Sequence, residues 1–424
     1  MSDSPSTPAL EKPASPWAVL KHAPFARYMT GETISMLGTW MQMMAQSWVV
    51  AGLTKSNFTL GLLNFASGIP MLVFASWGGV LADRHDKRRI LLLTQIVQII
   101  TAVSLGWLVY IKEISVWHIL IAGVCLGTSA AFEMPAASAL IPELVGRERL
   151  RAAISVDRSL FHATRTAGPA LGGWLMQVMG TASAFFANAA SFLAMIIALF
   201  TLPSRPVGTA EEEAQRQTGM SEGWKYIRGD RPTRTMILLL MSITTCISPF
   251  FMITMSNFCR YVLHVPEEKF GILMASSGVG AFVGSLWLLR IAGQHRRTYL
   301  RGAAAIIALA MFGFSQARNL YEAMAALVFM TGGTSTLFGL ANTIVQERAP
   351  DALRGRVSAL TGMSFFGVLP FSGLLVAAIA DSVGLRQAMG GAALLFGLAA
   401  TAILYRYQHA CEEQPVAGKL IVES

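Results

Sequence analysis

The sequence predicts an all-α membrane protein with twelve transmembrane helices in two pseudo-symmetric six-helix bundles, and three observations carry that reading. Hydrophobic residues make up 54% of the 424-residue chain and charged residues only 13%, about half the charge usual in a soluble domain. The apolar residues are gathered into runs of roughly 20 residues or more, the length that crosses a hydrocarbon core as helix. The start of the fifth run, Leu150-Arg151-Ala152-Ala153-Ile154-Ser155, returns 203 residues later as Leu353-Arg354-Gly355-Arg356-Val357-Ser358 at the start of the eleventh. Two parallel six-helix repeats are a transporter architecture.

Read between charge clusters, the spans fall at 28–53, 57–82, 90–111, 115–142, 152–179, 182–202, 235–262, 269–289, 299–317, 320–346, 355–380 and 385–405. Lipid supplies no partner for backbone N–H and C=O groups, so runs of this length and Leu, Ala and Met content close their hydrogen bonds as helices. The longest connection, 203–234, holds Pro203, Pro206, the acidic run Glu211 to Glu213 and the amphipathic Trp224-Lys225-Tyr226-Ile227-Arg228. The expected organisation is therefore a disordered tail over 1–27, a first bundle over 28–202, a linker over 203–234, a second bundle over 235–405 and a tail over 406–424.

Basic residues orient the chain. The two tails and the even-numbered loops carry 25 of the 33 Lys and Arg residues, whereas the odd-numbered loops carry six: Lys55, Lys112, Arg260, Lys269, Arg318 and Arg386. The positive-inside rule then places both termini in the cytoplasm of a cell whose inner membrane holds the protein. The net charge of +9 comes from these loops and lacks the aromatic interleaving of a nucleic-acid surface, so nucleic acid is excluded as a partner. Cys125, Cys246, Cys259 and Cys411 have neither disulfide nor zinc spacing. No His, Asp and Ser constellation suggests an enzyme, no cofactor is implied, and a monomer is expected.

The loop after span 2 reads Gly79-Val80-Leu81-Ala82-Asp83-Arg84-His85-Asp86-Lys87-Arg88-Arg89. It resembles the signature loop of the major facilitator superfamily: Gly79, Leu81, Ala82, Asp83, Arg84, Lys87 and Arg88 match, and Asp86 replaces the usual glycine. Ala131-Phe132-Glu133-Met134-Pro135-Ala136 and Arg165-Thr166-Ala167-Gly168-Pro169-Ala170-Leu171-Gly172-Gly173 are similar to the branch of enterobactin exporters and transmembrane secretion effectors. The second stretch also resembles the span 5 motif of drug:proton antiporters, with Thr164 at its upstream glycine position. The resemblance implies alternating access and a gating loop comprising Gly79, Asp83, Arg84, Lys87 and Arg88. In it, Asp83 meets the start of span 11 and holds the outward-facing state. The bland reading of the basic residues is that they set topology.

Charges inside the membrane are costly and face a cavity or a partner. Glu133 and Arg165 reach similar depth, so an ion pair is expected; either it is purely structural, or it serves proton coupling or substrate sensing, with Glu133 exchanging a proton as access changes. His162, one turn before Arg165, is either a titrating group or a structural one. Gln42 and Gln46 lie on one face of span 1, and Asn342 and Gln346 in span 10 hold comparable positions. Each is a candidate for a wet cavity, with interhelical hydrogen bonding as the alternative. Gly168, Pro169, Gly172 and Gly173 let span 5 approach a neighbour closely and bend. Gly280 and Gly284 read as a packing face, and the absence of a Gly-x-x-x-x-Gly-Lys-Ser/Thr loop leaves an ion gradient, with protons expected, to drive a small-molecule substrate.

Overall fold

A computed structural model describes residues 16–146, 148–202, 220–288, 295–350 and 353–413. The first half comprises α1 (Ala23–Leu53), α2 (Asn57–Arg84), α3 (Lys87–Tyr110), α4 (Val116–Val145), α5 (Leu150–Met179) and α6 (Ala182–Phe200). A short helix α7 (Met220–Gly229) leads to the second half: α8 (Arg231–Cys246), α9 (Glu267–Leu288), α10 (Arg296–Gln316), α11 (Leu320–Arg348), α12 (Arg354–Phe366), α13 (Leu369–Val383) and α14 (Leu385–Glu413). A 3-10 turn (Pro16–Lys21) precedes α1, and His22 Nε2 lies 2.8 Å from the Leu144 carbonyl. Residues 16–27 are thus structured where a disordered tail was expected.

Ten stretches are long and apolar enough to cross a membrane. The other two spans, α1 and α5, are 31 and 30 residues long but are diluted by Glu32, Gln42 and Gln46 in one and by Asp157 and Arg165 in the other. Span 7 is interrupted: α8 stops at Cys246, Pro249 follows, and π-helical turns occupy Phe250–Thr254 and Phe258–Val262. Proline has no N–H to give and clashes with the carbonyl four residues back, which breaks the α ladder. Span 11 divides into α12 and α13 at Gly367, with Pro370 in the first turn of α13.

Local chemistry sets the helix ends. Ser56, Asp86, Asp230 and Asn319 accept hydrogen bonds from the backbone N–H of Thr59, Arg88, Thr233 and Glu322, capping α2, α3, α8 and α11. Asp86, the departure from the signature pattern, is therefore the N-cap of α3. Gly180 and Gly384 end α5 and α13 at φ +81° and +89°, a backbone that side chains resist. These two glycines occupy equivalent places in the two repeats.

In the first half, α1 packs on α5 and α6, α2 on α4, and α3 on α4 and α6; in the second, α11 packs on α9 and α10, and α14 on α8 and α10. The most extensive crossings between the halves are α5 with α9 and α2 with α13, and the interrupted part of span 7 also packs on α1 and α2. Backbone meets backbone at the α9–α11 seam, where a Cβ on Gly280 or Gly284 would stand 2.2 Å from the Val328 or Gly332 carbonyl oxygen. Thr336 spans that seam by donating to the Gly284 carbonyl at 3.0 Å. The outer surface carries exposed Trp107, Tyr110, Trp117 and Tyr321 near helix ends, where amphipathic rings suit the membrane–water boundary.

Candidate functional site

Glu133 lies twelve residues before the end of α4, about 18 Å along the helix from its last turn. Its neighbours on α3 are two amides: Gln95 Nε2 donates to Oε1 at 2.8 Å and Gln98 Nε2 donates to Oε2 at 2.5 Å. Gln95 and Gln98, three residues apart, share a face of α3 and reach both oxygens at once. Gln95 is fully buried, and its own Oε1 has no hydrogen-bond partner among the described residues. The expected Glu133–Arg165 ion pair does not form. Arg165 instead places its guanidinium over the Trp40 ring at 5.7 Å, and Trp40 meets Phe161 edge-on with centroids 6.0 Å apart. The physical reason is rotation: depth along a helix places two residues at one level, but α5 turns Arg165 toward α1 while α4 turns Glu133 toward α3.

Glu32 on α1 was not singled out in the sequence, yet its carboxyl lies close enough to Glu133 and Asp157 to feel both charges, as does the hydroxyl of the buried Tyr28. Three carboxyl groups from α1, α4 and α5 therefore share one region of the first half. The available signal was the one acidic residue of α1, nine positions after its start.

Gln42 proves to be an interhelical partner, since Asn188 of α6 donates to its Oε1 at 2.8 Å and the side chain is buried. Gln46 is half-buried, and Asn342 is half-buried in the last third of α11, with no hydrogen bond to a described residue. The side chains of Asp83 and His162 lie outside the described residues. Elsewhere in the signature loop, Lys87 is buried and pairs with Glu143 at 2.8 Å. Arg88 donates to the carbonyls of Leu202 and Phe200 at 2.9 and 3.2 Å, satisfying the end of α6. Both residues thus bind the first half together. Arg84 is exposed, and an added Cβ on Gly79 would meet nothing within 4 Å.

In the span 5 motif the glycines divide their contacts. A Cβ on Gly168 would stand 2.4 Å from Trp40 Cβ and one on Gly172 would stand 3.0 Å from Met41 Cα, both on α1. Gly173 faces α9 in the other half.

Below the second half, Arg348 grips Asp230 with two hydrogen bonds, Nε to Oδ2 at 2.9 Å and Nη2 to Oδ1 at 2.6 Å. Tyr226 on α7 donates to the Arg348 carbonyl at 2.7 Å. Burial pushes the Asp230 carboxyl up, but the hydrogen bonds from Arg348 and Thr233 outweigh it and hold the group below its ordinary range. This assembly ties the linker helix to spans 7 and 10.

The sequence profile described as transmembrane secretion effector matches residues 14–417. The chain is similar to an uncharacterised MFS-type transporter, YfiS, of Bacillus subtilis, at 27% identity over 80% of this chain and 84% of that one. It is also similar to the multidrug efflux pump Tap of Mycolicibacterium fortuitum, at 23% over 86% and 91%, and to the enterobactin exporter EntS of Escherichia coli, at 24% over 92% of each. Among solved structures it resembles a bacterial homologue of the human lysosomal transporter Spinster in its inward-facing, occupied conformation, with TM-score 0.71 and 15% identity over 95% of this chain and 99% of that one. A D-xylose–proton symporter gives 0.69 and 14% over 93% and 98%.

Proposed function

Because the chain belongs to the transmembrane secretion effector family of major facilitator transporters, we propose that it exports a small amphipathic compound, siderophore-like or drug-like, by alternating access coupled to proton entry. The halves 28–202 and 235–405 are the moving bodies, and the face that carries both termini is cytoplasmic in a bacterial inner membrane. The relatives that export enterobactin or drugs support the direction. One observation carries the coupling: the Gln95–Glu133–Gln98 clamp. Protonating a salt-bridged acid strands a buried cation, whereas protonating Glu133 strands none, because both its partners are neutral amides. The idle Oε1 of Gln95 completes the cycle. Turning that amide over presents an acceptor to the protonated acid and returns a donor when the proton leaves.

Arg165 supports substrate binding at the same level. A guanidinium resting on an indole with a phenyl ring beside it offers charge and flat apolar surface to an anionic or aromatic substrate group.

Export from energised vesicles tests the coupling. Glu133→Gln abolishes accumulation driven by a pH gradient and leaves substrate counterflow intact, because the amide mimics the protonated acid and releases no proton. Undiminished pH-driven accumulation by this variant removes Glu133 from the coupling path.

A further inference from the structure

At the face opposite the termini, a group of hydrogen bonds joins the two halves. Four converge on one carboxylate: Asp381 Oδ2 accepts from Ser56 Oγ at 2.7 Å and Phe58 N at 2.9 Å, and Oδ1 accepts from Asn57 N at 2.7 Å and Asn57 Nδ2 at 2.8 Å. The other three flank it, from Asn257 Nδ2 to the Lys55 carbonyl and to Asn57 Oδ1, each at 3.2 Å, and from Tyr261 to the Ala51 carbonyl at 2.5 Å. Arg260 of the second half stacks on Trp48 of the first at 5.1 Å beside them.

Asp381 sits in the last turn of α13, where the negative end of its own helix disfavours a carboxylate. Across the boundary, α2 presents its first N–H groups, which have no intrahelical partners, together with the positive end of its dipole. The carboxylate is therefore favoured where it stands only while the two halves touch at this face. When they part, Asp381 is left with the unfavourable end of α13, and the N–H groups of Asn57 and Phe58 lose a charged acceptor. The contact rewards one arrangement of the halves and penalises the other.

The same two spans carry the signature carboxylate at their opposite ends. Asp83 lies in the last turn of α2, and span 11 begins with α12 at the face of the termini. We propose that Asp381 is a latch for the state open toward the termini and the counterpart of Asp83, so that α2 and span 11 hold one carboxylate latch at each face and engage one at a time. The device is one-sided within the repeat. Three residues before the terminal glycine, α13 has Asp381 ahead of Gly384, whereas α5 has Gln177 ahead of Gly180, and the α5–α9 crossing closes on glycines. Alternation is thus biased by a charge at one crossing and pivots at the other.

The proposal rests on the alternating-access reading above, but its test reads geometry and needs no transport. Spin labels are placed, in a background lacking Cys125, Cys246, Cys259 and Cys411, at Lys112 and Arg318 on the far face and at Glu148 and Arg297 on the terminal face; electron–electron distances are measured in lipid nanodiscs. Asp381→Asn raises the long-distance population at the far face about fivefold and the short-distance population at the terminal face with it. Asp381→Glu restores most of the original distribution, and Ser382→Asn leaves it unchanged. Unchanged distances in well-folded Asp381→Asn protein, whether or not its melting temperature drops, overturn the latch. If that variant does not accumulate, Asn57→Ala, which removes one donor and keeps the acid, is read the same way: a smaller shift in the same direction supports the latch, and no shift overturns it.

Discussion

A Cβ atom on Gly173 would stand 2.6 Å from the Cα of Gly271, and a Cβ on Gly271 would stand 2.6 Å from the Cα of Gly173. At this point α5 and α9 cross with backbone against backbone, and neither helix can yield without separating the halves. Gly173→Val accordingly lowers the melting temperature of the purified protein, with about 1–3 kcal/mol lost to overpacking. Gly79→Ala, with open space around the added methyl, leaves it unchanged. An unshifted melting temperature in Gly173→Val would show that the crossing is looser than described.

Arg165 has an aromatic platform and, among the described residues, no carboxylate at its guanidinium. Arg165→Lys keeps the charge but loses the planar stacking on Trp40. It therefore raises the substrate concentration needed for half-maximal export while the protein level stays constant. Trp40→Leu has the same effect, and the double variant is no worse than the more impaired single one, as expected when both act through one contact. Additive losses would separate the two residues.

The Asp230–Arg348 pair makes stability depend on pH in a stated direction. The folded carboxyl lies below its ordinary value, so the pair's contribution is fully present above the unfolded value of about 3.9 and is lost as pH falls through the lower folded one. Asp230→Asn costs about 1–2 kcal/mol at pH 7 for this largely buried pair. The gap in melting temperature between mutant and wild type narrows once the pH drops below about 4. A gap that is constant across that range would assign the cost to capping of α8 alone.

Topology is open to direct labelling. Cysteines at Ser221 and Trp224 in α7 react with a membrane-impermeant maleimide only when it reaches the cytoplasm, and cysteines at Lys112 and Arg318 react from outside. The reverse pattern would invert the assignment of the two faces and exchange the roles given to Asp83 and Asp381.

The signature loop shows how one stretch can be legible in part. Its position between two spans and its run of Arg84, Lys87, Arg88 and Arg89 pointed to the superfamily. That Lys87 pairs with Glu143 and that Arg88 closes the end of α6 required the neighbouring helices to be in place.

The sequence by itself determined the membrane spans, the repeat, the charge asymmetry between loops and the positions of Glu133 and Arg165 along their helices, because each depends only on hydropathy, on charge count or on rise per residue along one helix. Only the tertiary structure decided which way each helix is rotated and what it faces. It gave Glu133 to Gln95 and Gln98, gave Arg165 to Trp40, turned Gln42 inward to Asn188 and brought Glu32 near the other carboxyl groups. It also set Asp381 on the first turn of α2, more than three hundred residues away in the chain. In a membrane almost every helix face is apolar, so periodicity says little about which side meets a partner; close packing of small residues and the pairing of the few polar groups decide it.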